Sequence, residues 1–310
     1  MVTGYLLAAS YEKRPIENKC KYLLKKYIGL APGYCLALVV YVVLNLLFQM
    51  AFDGSPYRTE YSAAGIVINV AFLHGLVPFC NNTIVPGGWY VGTLMLIYAL
   101  LPFVFPLLRR RTYAYRIAPF VSCVLALVVG VIVGILDPSL VGNNSFYYYS
   151  IICQTPALLM GVVLYYERER ILELKMLPAV AVFGGFSVIT LGILAVGINS
   201  LIALIPFTAA LSYVGVYVIV CRLTKKWKFE LLQKIGSASY GNYLFHFIFA
   251  WFVPYAVKRL VAVSNTVLFA VLLIPCFALS CVLGIITTRF VGIISRKVMA
   301  VRGNGGGAET

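Results

Sequence analysis

The chain of 310 residues contains two histidines, His74 and His246. Imidazole is the side chain whose ordinary pKa lies near neutrality, so either could take a proton from a hydroxyl as a general base. His246 lies in Ser239-Tyr240-Gly241-Asn242-Tyr243-Leu244-Phe245-His246. Ser239, Asn242 and His246 are spaced three and then four apart, which puts them on one face of a helix. Such a polar stripe on an apolar run has to face a bundle interior or a cavity, because ionisable groups are costly in lipid. Its plainer reading is interhelical hydrogen bonding. His74 lies in Phe72-Leu73-His74-Gly75-Leu76-Val77-Pro78, where Gly75 and Pro78 interrupt the pattern; there the plainer reading is an interfacial histidine that meets water. The densest polar and turn-forming signal follows at Asn81-Asn82-Thr83-Ile84-Val85-Pro86-Gly87-Gly88-Trp89-Tyr90, continuing to Tyr98. Neither histidine has metal-ligand spacing to a second ligand, and no nucleophile elbow or P-loop is present.

The elements that position these residues follow from composition. The chain is 62% apolar and 11% charged, against about 45–50% and 25% in soluble domains. Apolar runs of roughly 20 residues cross a bilayer as helices, and they fill most of this chain. They lie at 29–52, 89–108, 117–136, 148–166, 178–196, 200–221, 238–256 and 266–292. The expected fold is therefore all-α, a polytopic transmembrane helical bundle with about eight full spans. Met1 to Ala9 reads as the end of a further helix. Residues 1–302 form one expected domain, and the glycine-rich 303–310 is expected to be a flexible tail.

Charge places the remaining short run. Lys and Arg number 25 against 10 Asp and Glu. That balance in a soluble chain suggests nucleic acid, whereas in a membrane chain it marks cytoplasmic loops. If 63–79 does not cross, 22 of the 25 basic residues fall on one side, leaving Arg58, Lys258 and Arg259 on the other. If it crosses, the division becomes 17 to 8. The first arrangement satisfies the positive-inside rule, puts both termini in the cytoplasm and makes 63–88 a re-entrant element. The eight cysteines include no C-x-x-C pair and mostly sit in apolar runs, as small buried hydrophobes do.

The residues of Ile84–Thr93, with Tyr98, Pro102 and Arg109-Arg110-Arg111, resemble the central motif of the acyltransferase-3 family. Ala238–Phe247 is similar to that family's S-Y-x-x-Y-L-x-H helix. Leu23-Leu24-Lys25-Lys26 leading to Pro32 and Tyr34 resembles the basic stretch before its third span, and Met1–Ala8 the end of its second. The resemblance implies an integral-membrane O-acyltransferase of the plasma (inner) membrane, acting in O-acetylation or polysaccharide modification. Such an enzyme takes an acyl group, usually acetyl, from acyl-CoA to a hydroxyl of a sugar, glycolipid or envelope polysaccharide. It binds no further cofactor, and its partners are the bilayer, acyl-CoA and a carbohydrate or lipid-linked acceptor, with no nucleic acid.

On that reading His74 and His246 are the catalytic candidates. Asn82, Trp89, Tyr90, Tyr98, Ser239, Asn242 and Tyr243 are the substrate-binding candidates. Lys25, Lys26, Arg109, Arg110 and Arg111 would gather the donor's phosphates. The family's first span, with its Arg and its His assigned to catalysis, has no counterpart here, and Leu94 stands where a Glu is frequent. The alternatives are a late start, an inactive truncated copy, or a glycan or lipid transporter. A transporter would more often show inverted repeats, and none is evident.

Overall fold

The computed structural model describes residues 1–57, 61–109, 113–142, 144–225 and 229–305, apart from the side chains of 200 and 297–305. Helix makes up 83% of the described residues, with no strand among them. In chain order the helices are α1 (Val2–Lys13), α2 (Lys19–Phe52), α3 (Ala63–Val70), α4 (Trp89–Val104), α5 (Ala114–Leu136), α6 (Phe146–Tyr149), α7 (Ile151–Tyr166), α8 (Arg168–Leu172), α9 (Met176–Val196), α10 (Ile205–Thr224), α11 (Glu230–Ser237), α12 (Ser239–Phe247), α13 (Val253–Leu260) and α14 (Asn265–Gly305). Seven helical stretches among the described residues are long and apolar enough to cross a membrane: Lys19–Phe52, Trp89–Leu108, Ala114–Leu136, Phe146–Tyr166, Met176–Val196, Leu201–Thr224 and Asn265–Arg296. Their apolar side chains stay exposed along whole helix faces, as Val188, Leu191 and Val196 do on α9. In water that surface would be untenable; against lipid it is the expected exterior. The protein is a polytopic, multi-pass membrane protein.

The run expected to be an eighth span is also helical but is built differently. It consists of α12, a π-helical turn at Ile248–Phe252 and α13. Ser239, Tyr240, Asn242 and His246 lower its hydropathy, so it is not among the seven. A π turn inside a helix re-aims side chains and is frequent at functional sites. The short run forms only α3, of 8 residues, about 12 Å at 1.5 Å per residue, far less than a bilayer core of about 30 Å. Ser62 caps it, its hydroxyl accepting from Gly65 N at 2.9 Å. A turn at Phe72, with φ +58°, then leads into a single 3₁₀ turn over Leu73–Gly75.

The chain divides into two compact units. Met1–Lys19 with Leu96–Lys228 make the first, and Cys20–Met95 with Phe229–Thr310 the second. In the first, α9 and α10 are joined by hydroxyl pairs, Ser187–Ser212 at 2.8 Å and Thr190–Thr208 at 2.9 Å. Tyr115 and Arg116 at the start of α5 both bond Glu167 just beyond α7, at 2.5 and 2.7 Å. Its core holds Ala126, Tyr147, Cys153, Ala203 and Ile205.

In the second unit α2 is tied to the later helices by long side chains reaching backbone carbonyls. Tyr41 donates to Leu244 O at 2.9 Å, and Tyr240 donates to Leu30 O at 2.8 Å. α12 and α14 meet at two glycines: a Cβ on Gly241 would sit 2.6 Å from Gly284 O, and one on Gly284 would sit 2.6 Å from Asn242 N. Small residues permit this backbone approach, which is how helices pack where no hydrophobic effect drives them together.

Candidate functional site

The second unit contains a groove of ≈ 1320 Å³ between α11–α13 on one side and α14 on the other, with Ser55, Pro56 and Tyr57 at one end. Ser239, Asn242, Tyr243 and His246 line it, so the stripe read from the three-and-four spacing does face a cavity. α14 contributes Ser280, whose hydroxyl donates to Asn242 Oδ1 at 2.5 Å; Asn242 Nδ2 in turn faces Cys281 Sγ at 3.8 Å. Ser280 lies in the otherwise apolar 267–286 stretch of α14, and only its polarity within that run marks it in the sequence. The groove's lining includes no Asp or Glu.

His246 is half-buried, and its Nδ1 lies 2.6 Å from Tyr243 O. A carbonyl only accepts, so Nδ1 carries the proton and Nε2 holds the lone pair in the neutral ring. That tautomer is the one a general base in the groove requires. Phe247 packs on the imidazole with ring centroids 4.0 Å apart, limiting its rotation.

His74 is set in a different environment, fully buried with 0% exposure. Its Nε2 donates to Gly88 O at 2.9 Å, with Tyr34 Oη at 3.3 Å from the same nitrogen. Tyr34 donates to Asn69 Oδ1 at 2.8 Å and stacks parallel on the imidazole at 5.4 Å. Nδ1 is buried without a hydrogen-bond partner. His74 does not line the groove. Gly92 makes room for it: a Cβ there would lie 2.7 Å from His74 Nε2 and 2.8 Å from Gly75 N. Burial is the main cause that pushes the imidazole pKa below its ordinary value.

The two histidines are joined through the turn before α4. Gly87 has φ +76°, a left-handed conformation that favours glycine. Its N donates to Asn82 Oδ1 at 2.7 Å, and its carbonyl accepts from Tyr243 Oη at 2.7 Å. His74 therefore holds Gly88 while Tyr243, which holds His246 through its own carbonyl, grips Gly87. Asn82 braces this turn and Tyr90 packs on Tyr243 at 5.1 Å, with Trp89 edge-on to Tyr90 at 5.9 Å. None of these last three lines the groove. Asn69 and Tyr34 complete the network; Tyr34 enters the sequence reading only within the resembling stretch that begins at Leu23, and for Asn69 an Asn within the apolar α3 is the available signal.

The remaining sequence-derived residues fall elsewhere. Lys25 and Lys26 are in the first turns of α2 in the second unit, with Lys26 Nζ 5.4 Å from the Tyr22 ring. Tyr98 and Arg109 belong to the first unit, where the Arg109 guanidinium lies 5.5 Å from the Tyr11 ring. Arg110 and Arg111 lie outside the described residues. The arrangement as a whole offers one partly open histidine with a free basic nitrogen, flanked by amide and hydroxyl groups, in an apolar cleft. A family model described as an acyltransferase domain matches residues 1–285. No curated protein and no solved structure matches the chain.

Proposed function

Because the chain belongs to the acyltransferase-3 family, we propose that this acyltransferase is a membrane-bound O-acyltransferase that moves an acyl group from acyl-CoA to a hydroxyl of a sugar, glycolipid or envelope polysaccharide. The observation that carries the reading is the His246 geometry, with Nδ1 fixed as donor to Tyr243 O and the ring on the groove wall. The acceptor hydroxyl gives its proton to Nε2 as its oxygen attacks the thioester carbonyl. The tetrahedral intermediate collapses, the C–S bond breaks, and the thiolate of CoA takes the proton back from the imidazolium. Ester and free CoA are the products, and His246 is restored. Ser239 and Asn242, on the same helix face, hydrogen-bond the substrate oxygens.

In this reading His74 is a positioning residue. Its Nε2 is committed to Gly88 O and the side chain has no exposure, so it holds the turn that Tyr243 grips. Lys25, Lys26 and the arginines at 109–111 attract the donor's phosphates at the basic, cytoplasmic face. The protein resides in the plasma (inner) membrane with both termini cytoplasmic.

The test is acyl transfer by membranes carrying the full chain, supplied with radiolabelled acyl-CoA. The reading expects label in an alkali-labile ester in the envelope fraction, together with stoichiometric CoA release. Absence of both, with the protein present and folded, would overturn it.

A further inference from the structure

The groove extends well beyond the polar patch around His246. α12–α13 and α14 run antiparallel, as two hydrogen bonds show: Ser280 pairs with Asn242 at one level, and Lys258 donates to Asn265 Oδ1 at the other. Between His246 and that Lys258–Asn265 closure the walls change character. Phe249, Ala250, Leu268, Phe269, Leu272 and Leu273 line this stretch, apolar apart from the ring hydroxyls of Tyr57 and Tyr255. Phe269 and Leu273 are 66% and 52% exposed, so no described side chain covers them and this side of the groove opens toward the lipid-facing surface.

The sequence of surfaces along the groove is therefore a hydrogen-bonding patch with a basic nitrogen, an apolar channel, then a polar stop. Its volume exceeds the roughly 300–1,000 Å³ of an ordinary small-ligand pocket. A two-carbon acyl group held at His246 would leave the apolar stretch empty. From His246 to Pro254, just before the polar end, is eight residues, or about 12 Å of helix. A carbon chain with 1.52 Å bonds and angles near 111° advances about 1.25 Å per carbon, so this length matches about ten carbons.

We propose that this stretch is an acyl-chain slot, making the preferred donor a medium-chain acyl-CoA rather than acetyl-CoA. The inference rests on the transfer reading above for the placement of the thioester at His246. The chain then runs from His246 along Phe249 and Phe269, and its terminal methyl stops at the Lys258–Asn265 bond. Ala250 and, in the antiparallel register, Leu272 face the slot about 6 Å from the His246 level, or roughly five carbons along.

The test is equilibrium binding of radiolabelled acetyl-, hexanoyl-, decanoyl- and hexadecanoyl-CoA to the full chain in phosphatidylcholine nanodiscs, with empty nanodiscs as the blank. A half-buried methylene gives roughly a twofold gain in affinity, so decanoyl-CoA should bind on the order of 100-fold tighter than acetyl-CoA. No further gain should appear at hexadecanoyl. Ala250→Trp, and independently Leu272→Trp, should bind acetyl-CoA like the wild type and lose the gain beyond about five carbons. Either variant suffices if the other fails to fold. Affinity independent of chain length, or a gain that continues to hexadecanoyl and survives both substitutions, overturns the slot and assigns the groove to bilayer lipid. Because binding is read without turnover, this result stands apart from the transfer assay. Transfer from acetyl-CoA with no chain-length gain sinks the slot alone, whereas absence of transfer from every donor, with the chain-length gain intact, sinks the transfer reading and leaves the slot as a chain-binding site.

Discussion

Replacing His74 separates a chemical role from a positioning one, because its two substitutions to alanine and glutamine differ in what they keep. His74→Ala removes a fully buried ring that stacks on Tyr34 at 5.4 Å and donates to Gly88 O at 2.9 Å. Deleting a buried side chain of this size costs about 3 kcal/mol through lost contacts and the cavity left behind, and the lost hydrogen bond adds about 1 kcal/mol. Gly88 O is not orphaned, since it also accepts from Val91 N at 2.9 Å, so no larger penalty applies. His74→Gln places an amide N–H near the position of Nε2 and keeps the donor to Gly88. It should lose chiefly the ring stacking, about 1 kcal/mol. The assay is the unfolding midpoint in detergent beside the acyl-transfer rate at saturating donor. The alanine variant should be markedly destabilised and slow. The glutamine variant should be nearly as stable as the wild type and transfer within about threefold of its rate, since an amide cannot act as a base but can hold the turn. A glutamine variant with a normal midpoint and a rate as low as that of alanine would refute the positioning assignment and make His74 part of the chemistry.

Two further perturbations probe the scaffold. Gly241→Ala puts a methyl group 2.6 Å from Gly284 O; it should destabilise the chain by about 1–3 kcal/mol by overpacking and be read as a lowered unfolding midpoint, with Gly284→Ala behaving alike. Glu167, outside the spans, is held below the usual carboxylate range by the hydrogen bond from Tyr115, with Arg116 also favouring its ionised form. A depressed folded pKa contributes stability above the unfolded value of about 4.3 and loses it as pH falls through the folded value. The unfolding midpoint of the wild type should therefore fall more steeply below about pH 5 than that of Glu167→Gln, and identical slopes would contradict the assignment.

Much of this was legible because membrane physics writes itself into composition. The bilayer demands long apolar helices, so the bounds of the seven long helices could be read to within a few residues apart from the start of the first, and the short 63–79 run stands apart from them because its helix has only 8 residues. The three-and-four spacing of Ser239, Asn242 and His246 sufficed to place them on one cavity wall, since a helix fixes which residues share a face. What could not be read was whatever depended on partners distant in sequence. The two histidines carry equal weight as letters, yet one lies on the groove and the other is sealed under Tyr34 with its Nε2 spent on Gly88. Ser280, Asn69 and Tyr34 are polar residues in apolar or mixed runs, and the contacts that tie them to the site lie 35 or more residues away. The π turn at 248–252 had no evident signature, because a one-residue change in helical winding leaves the hydropathy pattern intact.

The role of His246 as the base is measured most directly by the acyl-transfer rate of His246→Asn relative to the wild type. The asparagine amide can replace Nδ1–H as donor to Tyr243 O, so the 2.6 Å anchor is retained while Nε2 is lost. With acyl-CoA at saturation, kcat should fall about 10²–10⁴-fold, with the unfolding midpoint and donor binding unchanged. A variant that is equally stable, binds donor equally and transfers at the wild-type rate would contradict that role.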